Sequence, residues 1–389
     1  MKVLQVHNHY QSSQPSGENR VVLEERDLLT AAGVEVATLY THSDEINSLR
    51  QKIIATGLQV GMGGTDVVER LLQDFQPDVV HLHNLQPLIT PRLLDLCAAR
   101  GIAAVRTVHN YRAGCIAGTH FRDGHACFDC IERKSSFSGV VHRCYRGSAT
   151  QSALVTLSRR LHGSAYSAAT LLVALTEYMR NYLIRLGCPR EQVVVRPNPI
   201  AHAGLSDPLA FSNRDDVLFV GRLDKAKGID LLLESWPTGP RDQPVLRIVG
   251  SGPLEPLVQR HARERSNVTF AGTMTQDAVL LEMSRALAVI LPSRWAEGFP
   301  RVIAEAWAVG TPVICNAESA AGALVSEQRG WVVDMQALPG MLPDLINRPS
   351  WMLRSQSAVQ YAERHLTQRA GLASLLEIYE RAVRLAATA

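Results

Sequence analysis

Lysine is scarce in this chain. Of its 40 basic side chains only five are Lys, at positions 2, 52, 134, 225 and 227, so each position carries information. Long apolar runs are absent. A spanning helix needs about 18 or more consecutive apolar residues, and none occur. The first apolar run, Val-Leu-Gln-Val, is too short for a secretory signal, so a cytoplasmic protein is expected. In that compartment its seven Cys are not expected to pair as disulfides. No two Asp stand two residues apart, so the carboxylate clamp that holds a divalent metal on a diphosphate is not apparent. Acidic residues vanish entirely from Arg133 through Thr176. Low-complexity tracts are missing as well, and the composition is that of an ordinary globular protein. A net charge of +3 selects no class of partner.

A length of 389 residues exceeds one ordinary core and suits two domains. Short β-branched runs alternate with helical stretches in the first half: strands at Val3–His7, Val34–Tyr40, Val79–His83, Ala103–His109, Leu171–Leu175 and Val193–Arg196. The rhythm restarts after Arg196-Pro197-Asn198-Pro199-Ile200, with strands at Val217–Val220, Leu246–Val249, Val268–Ala271, Ala288–Leu291, Val313–Cys315 and Trp331–Val333. Alternating β and α elements predict an α/β fold of two Rossmann-like, doubly wound domains facing a cleft. The expected boundaries are 1–198, a linker at 199–214, a second domain at 215–365 and a closing helical segment at 366–389 that packs back on the first domain. Ligands in such sheets bind outside the carboxyl ends of the strands, and between two such domains the cleft is the natural site.

Polar motifs cluster at those strand ends. Gly221-Arg222-Leu223-Asp224-Lys225-Ala226-Lys227-Gly228 follows a strand and holds two of the five lysines. Arg222 and Lys227 can share an anion, Arg as a fork and Lys as a point charge. The loop lacks the Gly-Lys-Ser/Thr of a Walker A motif, and Gly250-Ser251-Gly252-Pro253 lacks the third Gly of a dinucleotide fingerprint. Glu297-Gly298-Phe299-Pro300-Arg301-Val302 then leads into a nearly all-apolar helix carrying Glu305. A helix N-terminus offers free amides to a phosphate, and a carboxylate on a buried helix requires a partner. In the first half, Gly17 opens a helix after strand one, where backbone can approach a phosphate closely. His109 ends a strand, and His81 and His83 flank another. For each motif a purely structural reading competes: a solvated basic loop, a helix Glu capping a neighbour, a satisfied His.

Taken together, Gly221-Arg222…Lys227-Gly228, Glu297-Gly298-Phe299-Pro300…Glu305 and the tandem doubly wound plan resemble retaining glycosyltransferases of the GT-B fold, the "glycosyl transferases group 1" (family 4) set. The resemblance runs from residue 3 to about 334. It implies transfer of a sugar from a nucleotide-diphosphate donor to an acceptor hydroxyl, with retention and with no metal needed for catalysis. Arg222 and Lys227 would hold the diphosphate. Glu297 would contact the sugar, the backbone at Gly298, Phe299, Pro300, Arg301 and Val302 the sugar and phosphate, and Glu305 the ribose. His109 would lie near the sugar, Gly17 near the phosphate, and Gly250 and Gly252 beside the nucleotide base. The family often has Gly-Gly where this chain has Ser16-Gly17. A surface glycan, a lipid-linked sugar or a small natural product is the expected acceptor. A nucleotide-sugar epimerase and a non-catalytic nucleotide-sugar-binding protein are the rivals.

Two further features take no role from that resemblance. Cys115, Cys127, Cys130 and Cys144 follow the pattern C-x11-C-x2-C-x13-C within a Gly-rich insert at about 111–147. A structural zinc, unmetallated thiols and disulfides are the three readings. The acid-free stretch holds Arg133, Lys134, Arg143, Arg146, Arg159 and Arg160. It suits an acidic acceptor or an anionic membrane surface as well as a merely solvated face. No recognisable motif accompanies the charge, so nucleic acid is not expected as a partner.

Overall fold

The computed structural model describes residues 1–12, 16–162, 168–201, 214–238 and 244–388. Most of the expected linker, residues 202–213, lies outside them. The chain divides into two compact units. One comprises Met1–Thr119, Phe128–Pro197 and Gly371–Ala389; the other comprises His120–Cys127 and Asn198–Ala370.

In chain order the first 197 residues form β1 (Lys2–His9), α1 (Gly17–Ala31), β2 (Glu35–His42), α2 (Leu49–Gln59), α3 (Thr65–Phe75), β3 (Val79–Leu82), α4 (Leu93–Ala99) and β4 (Ala103–Val108). The insert follows as a small antiparallel pair, β5 (Phe121–Arg122) and β6 (His125–Ala126), with the short helices α5 (Asp129–Glu132) and α6 (Phe137–Val141). Next come α7 (Ala149–Leu161), β7 (Leu171–Ala174), α8 (Glu177–Arg185) and β8 (Val193–Val195). The sheet is wholly parallel, in the order β2-β1-β3-β4-β7-β8. Strands β3 and β7 are buried throughout and β4 at all positions but Arg106, as parallel sheets covered by helices require.

The rest of the chain builds β9 (Asp216–Val220), α9 (Ile229–Ser235), β10 (Val245–Val249), α10 (Glu255–Glu264), β11 (Val268–Phe270), α11 (Gln276–Arg285), β12 (Ala286–Leu291), α12 (Arg301–Ala308), β13 (Val313–Asn316) and β14 (Gly330–Val333). Three helices close it: α13 (Leu338–Leu345), α14 (Arg348–His365) and α15 (Gln368–Ala386). The second sheet is also parallel, in the order β11-β10-β9-β12-β13-β14. Its strand order reverses between β9 and β12, and that of the first sheet between β1 and β3. Loops diverge at such switch points, and ligands bind there.

Most of α15 belongs to the first unit. Leu375, Ile378, Tyr379 and Ala382 pack against Val3, Val79, Val105 and Val173 of the first sheet. Helix α14 stays with the second unit, where Ala358 and Ala362 join the core beside Trp307. Among the described residues no helix is long and apolar enough to cross a membrane.

Candidate active site

The switch point of the second sheet carries the basic loop and the acidic loop side by side. Lys227 ends the loop after β9, and its Nζ donates to Oε2 of Glu297 at 2.8 Å. Glu297 lies on the loop after β12 and also accepts from the Ser293 hydroxyl. Its side chain is 8% exposed. Burial works against its charge, but Lys227 and the hydrogen bonds from Lys227 and Ser293 hold its carboxyl below the ordinary value.

The rest of the basic loop is tied down locally. Asp224 accepts the backbone N–H of Lys227 at 2.8 Å and pairs with the Arg222 guanidinium. The Trp295 ring faces both cations, with Lys227 Nζ 5.3 Å and the Arg222 guanidinium carbon 5.9 Å from its centroid. Gly228 turns the loop into α9 at φ +74°, where a Cβ would stand 2.1 Å from the Pro292 carbonyl oxygen. The two loops therefore touch backbone to backbone, which only glycine permits here.

Pro300 is the N-cap of α12, and no side chain caps the helix. The amides at Arg301 and Val302 thus open the helix without acceptors inside it. Phe299 packs on the unit's core, which anchors the Gly298–Phe299 turn. Glu305 is buried on α12, and Arg301 one turn earlier lies 3.8 Å from its Oε1. Gly250 and Gly252 follow β10 and press against the loop after β9. A Cβ at Gly250 would meet the Gly221 carbonyl oxygen at 1.9 Å, and one at Gly252 the Leu223 oxygen at 2.6 Å. Packing alone accounts for both glycines.

Gly17 and His109 belong to the first unit. Gly17 is the first residue of α1 and is exposed, and residues 13–15 of the preceding loop lie outside the described residues. His109 follows β4 and lines a pocket with Glu18, Asn84, Arg106, Arg112, Arg159 and His162. One carboxylate faces several cationic groups there, so the pocket favours an anionic or hydroxyl-rich ligand. Nη1 of Arg159 and Nε2 of His162 are buried, with no hydrogen-bond partner among the described residues.

Beneath His109 lies a buried polar network that the sequence did not reveal. Glu25 of α1 accepts from His81 Nδ1 at 3.0 Å, from Gln5 Nε2 at 3.3 Å and from Arg196 Nη1 at 2.9 Å. His83 Nε2 is 3.4 Å from the same carboxylate. His81 continues to the Tyr379 hydroxyl on α15 at 2.7 Å and to Thr107 at 2.8 Å. Burial opposes the charge on Glu25, but His81, Arg196 and the bonds from His81 and His83 hold it well below the carboxylate range. His81 and His83, flanking a strand in the sequence, are fully enclosed members of this network. Glu25, His81 and His83 also come close enough together to hold a metal ion. Arg196 already occupies the carboxylate, which argues against a cation there. Of the four insert cysteines, Cys115, Cys130 and Cys144 belong to the first unit and Cys127 to the second, each half-buried.

Two family profiles match this sequence. The one described as "Glycosyl transferase 4-like domain" covers residues 16–199, and the one described as "Glycosyl transferases group 1" covers residues 206–349. The chain belongs to the glycosyl transferases group 1 family. The chain is 32% identical over 151 residues to a GDP-mannose-dependent alpha-(1-6)-phosphatidylinositol monomannoside mannosyltransferase of Mycobacterium tuberculosis, spanning 36% of the chain and 39% of that relative. It is 28% identical over 188 residues to the amylovoran biosynthesis glycosyltransferase AmsD of Erwinia amylovora, spanning 46% and 52%. The matches therefore span about half or less of these relatives' lengths. HepE from Anabaena, solved in complex with UDP, shares the fold at a TM-score of 0.62 and 17% identity over 98% of this chain and 100% of its own. Sucrose-phosphate synthase from Thermosynechococcus elongatus does so at 0.66 and 18% over 98% of each chain. The fold is GT-B.

Proposed function

We propose that the chain moves a sugar from a nucleotide-diphosphate sugar to an acceptor hydroxyl, with retention at the anomeric carbon and with cations and amides in place of a metal. The observation that carries this reading is the Lys227–Glu297 pair at the switch point of the second sheet, beside the uncapped start of α12. A positive group, a helix N-terminus and a carboxylate within one loop cluster suit a sugar diphosphate. Arg222 and Lys227 would take the diphosphate, Glu297 the sugar hydroxyls and Glu305 the ribose. In the reaction the bond from the anomeric carbon to the diphosphate oxygen breaks, and the acceptor oxygen bonds to that carbon. The acceptor's proton passes to the departing phosphate. Preorganised cations and amides stabilise the charge that develops on the leaving group.

The named relatives act in amylovoran biosynthesis and on a phosphatidylinositol mannoside. A glycan or glycolipid acceptor follows as the proposal for this chain. Helix polarity supports a lipid surface. Helix α2 buries Ala55 and Gln59 while Leu49 and Ile53 stand 73% and 64% exposed. Helix α7, packed against α2, buries Ser152 and Ser158 and exposes Leu157 and Leu161. On α6, also packed on α7, Phe137 and Val141 face outward. None of the three helices holds an acid, and Arg50, Lys52 and Arg160 are exposed on them. Apolar side chains outside with cations among them match the interfacial region of an anionic membrane, so we place the chain at the inner face of the membrane. The four-cysteine spacing carries, on sequence grounds, a structural zinc held by thiolates. About one zinc per purified chain is the expected content, and none would remove that assignment.

Donor use is tested by incubating the protein with UDP- and GDP-sugars, with and without lipid-linked and soluble acceptors. Transfer that requires an acceptor supports the reading. A new sugar nucleotide without acceptor would identify an epimerase, and binding without turnover a non-catalytic protein.

A further inference from the structure

The chain Glu25–His83–His109 has a proton order that follows from its atoms. Nδ1 of His83 lies 2.9 Å from Nε2 of His109, so one nitrogen of that pair donates and the other accepts. Nε2 of His83 faces the Glu25 carboxylate oxygen at 3.4 Å. The same nitrogen also sees Gln5 Nε2 at 3.5 Å, but that amide has nearer acceptors in the Val22 carbonyl and Glu25, both at 3.3 Å. An ionised carboxylate repels a bare ring nitrogen and attracts N–H, so the His83 proton sits on Nε2. His83 Nδ1 is then the acceptor, and His109 donates from Nε2.

We propose that Glu25 and His83 are positioning residues for His109, fixing it as the Nε2–H tautomer so that Nδ1 remains the bare acceptor nitrogen for a ligand hydroxyl in the pocket His109 lines. Among the described residues the His109 side chain hydrogen-bonds to His83. Burial lowers the pKa of both rings, which keeps them neutral and preserves the alternation of donor and acceptor. Glu25 is itself immobilised by Arg196, which is bound through Nε to the Gly371 carbonyl at 3.0 Å. The orientation at His109 is therefore built from side chains far apart in sequence. The ligand half of the proposal rests on the sugar-transfer reading; the tautomer half does not.

Long-range proton–nitrogen correlation on the 15N-histidine-labelled protein reads the tautomer directly, with His109→Asn assigning the ring. The expected spectrum has the His109 proton on Nε2 and an imine-type Nδ1 signal. A proton on Nδ1, or a doubly protonated ring at pH 7, would overturn the proposal whether or not any variant folds. His83→Phe and Glu25→Gln are expected to split His109 into both tautomers. An unchanged single tautomer in a folded variant would remove His83 or Glu25 from the role. Addition of UDP-glucose or GDP-mannose at a concentration that raises the melting temperature is expected to move the Nδ1 signal upfield. A stationary signal under that condition would overturn the ligand half. Absence of sugar transfer with the Nε2–H tautomer intact would refute the transferase reading and leave the tautomer standing.

Discussion

Lys227 Nζ and Glu297 Oε2 are 2.8 Å apart across two loops that leave neighbouring strands of one sheet. Each residue neutralises the other. A diphosphate can replace the carboxylate as partner of the ammonium, and sugar hydroxyls can replace the ammonium as partners of the carboxylate. The pair thus holds both side chains in place at modest cost in desolvated charge.

Lys227→Ala removes that ammonium and leaves the buried Glu297 carboxylate without its cation. Turnover with donor and acceptor is expected to fall at least about 100-fold, corresponding to ~2.7 kcal/mol of transition-state stabilisation. Glu297→Ala is expected to lose turnover similarly. Circular dichroism should show both variants folded, and wild-type rates in both would sink the site assignment.

Glu25→Ala strands Arg196 as a buried, uncompensated charge. Breaking a buried pair from one side costs about 3–5 kcal/mol. Urea denaturation should register a loss of that order. Arg196→Met combined with Glu25→Leu should recover much of it, because the charges leave together.

Acid should weaken the fold before it reaches ordinary carboxylate values. Burial lowers the pKa of His7, His83 and His109 in the folded chain, and that of His9 to about 4. The unfolded chain takes up these protons near the usual value of about 6.5, so stability falls as pH drops below it. Glu25 and Glu297 are held below the usual value, and their contribution is lost at lower pH still. Melting temperatures measured from pH 8 to 4 should decline in that order. A flat profile between 6.5 and 5 would contradict the buried histidines.

Gly250→Ala tests whether the loop after β10 must touch the loop after β9. The added Cβ would stand 1.9 Å from the Gly221 carbonyl oxygen at φ +144°. At least about 2 kcal/mol of destabilisation is expected in denaturant. Gly124→Ala, at φ +87° with open space around it, separates backbone strain from collision and should cost less.

Ile53→Asp with Leu157→Asp tests the outward-facing helices. Both residues are exposed, so thermal stability should hold. Sedimentation with vesicles containing anionic lipid is expected at low salt for the wild type and lost in the double variant. Equal binding by both would move any membrane contact elsewhere.

Much of the architecture was legible because parallel strands buried on both faces spell themselves as β-branched runs. The loops carrying Arg222, Lys227 and Glu297 were legible for a related reason: polar residues placed directly after such runs fall at strand ends. Helix α2 shows its Ile and Leu to solvent and hides Ala55 and Gln59, so its sequence holds no inward stripe to read. Helix α14 buries only Trp351, Ser355, Ala358 and Ala362, small residues apart from one Trp, so its pattern is faint. The Glu25 network is invisible in one dimension, since bonded members lie up to 298 residues apart and no local period links them. The sequence marks Glu305 as a carboxylate in need of a partner and points to a ligand for it, and in the structure Arg301 lies 3.8 Å away.

The membership of Leu375, Ile378 and Tyr379 in the first unit's core has a consequence for biosynthesis. Synthesis runs from the N-terminus, and early domains commonly fold before later ones emerge. Here the first sheet leaves the ribosome about 170 residues before the helix that covers it. Until then Val3, Val79 and Val105 lack their cover, and His81 lacks the Tyr379 hydroxyl. The nascent first unit must wait, incompletely packed, while the whole second unit is made.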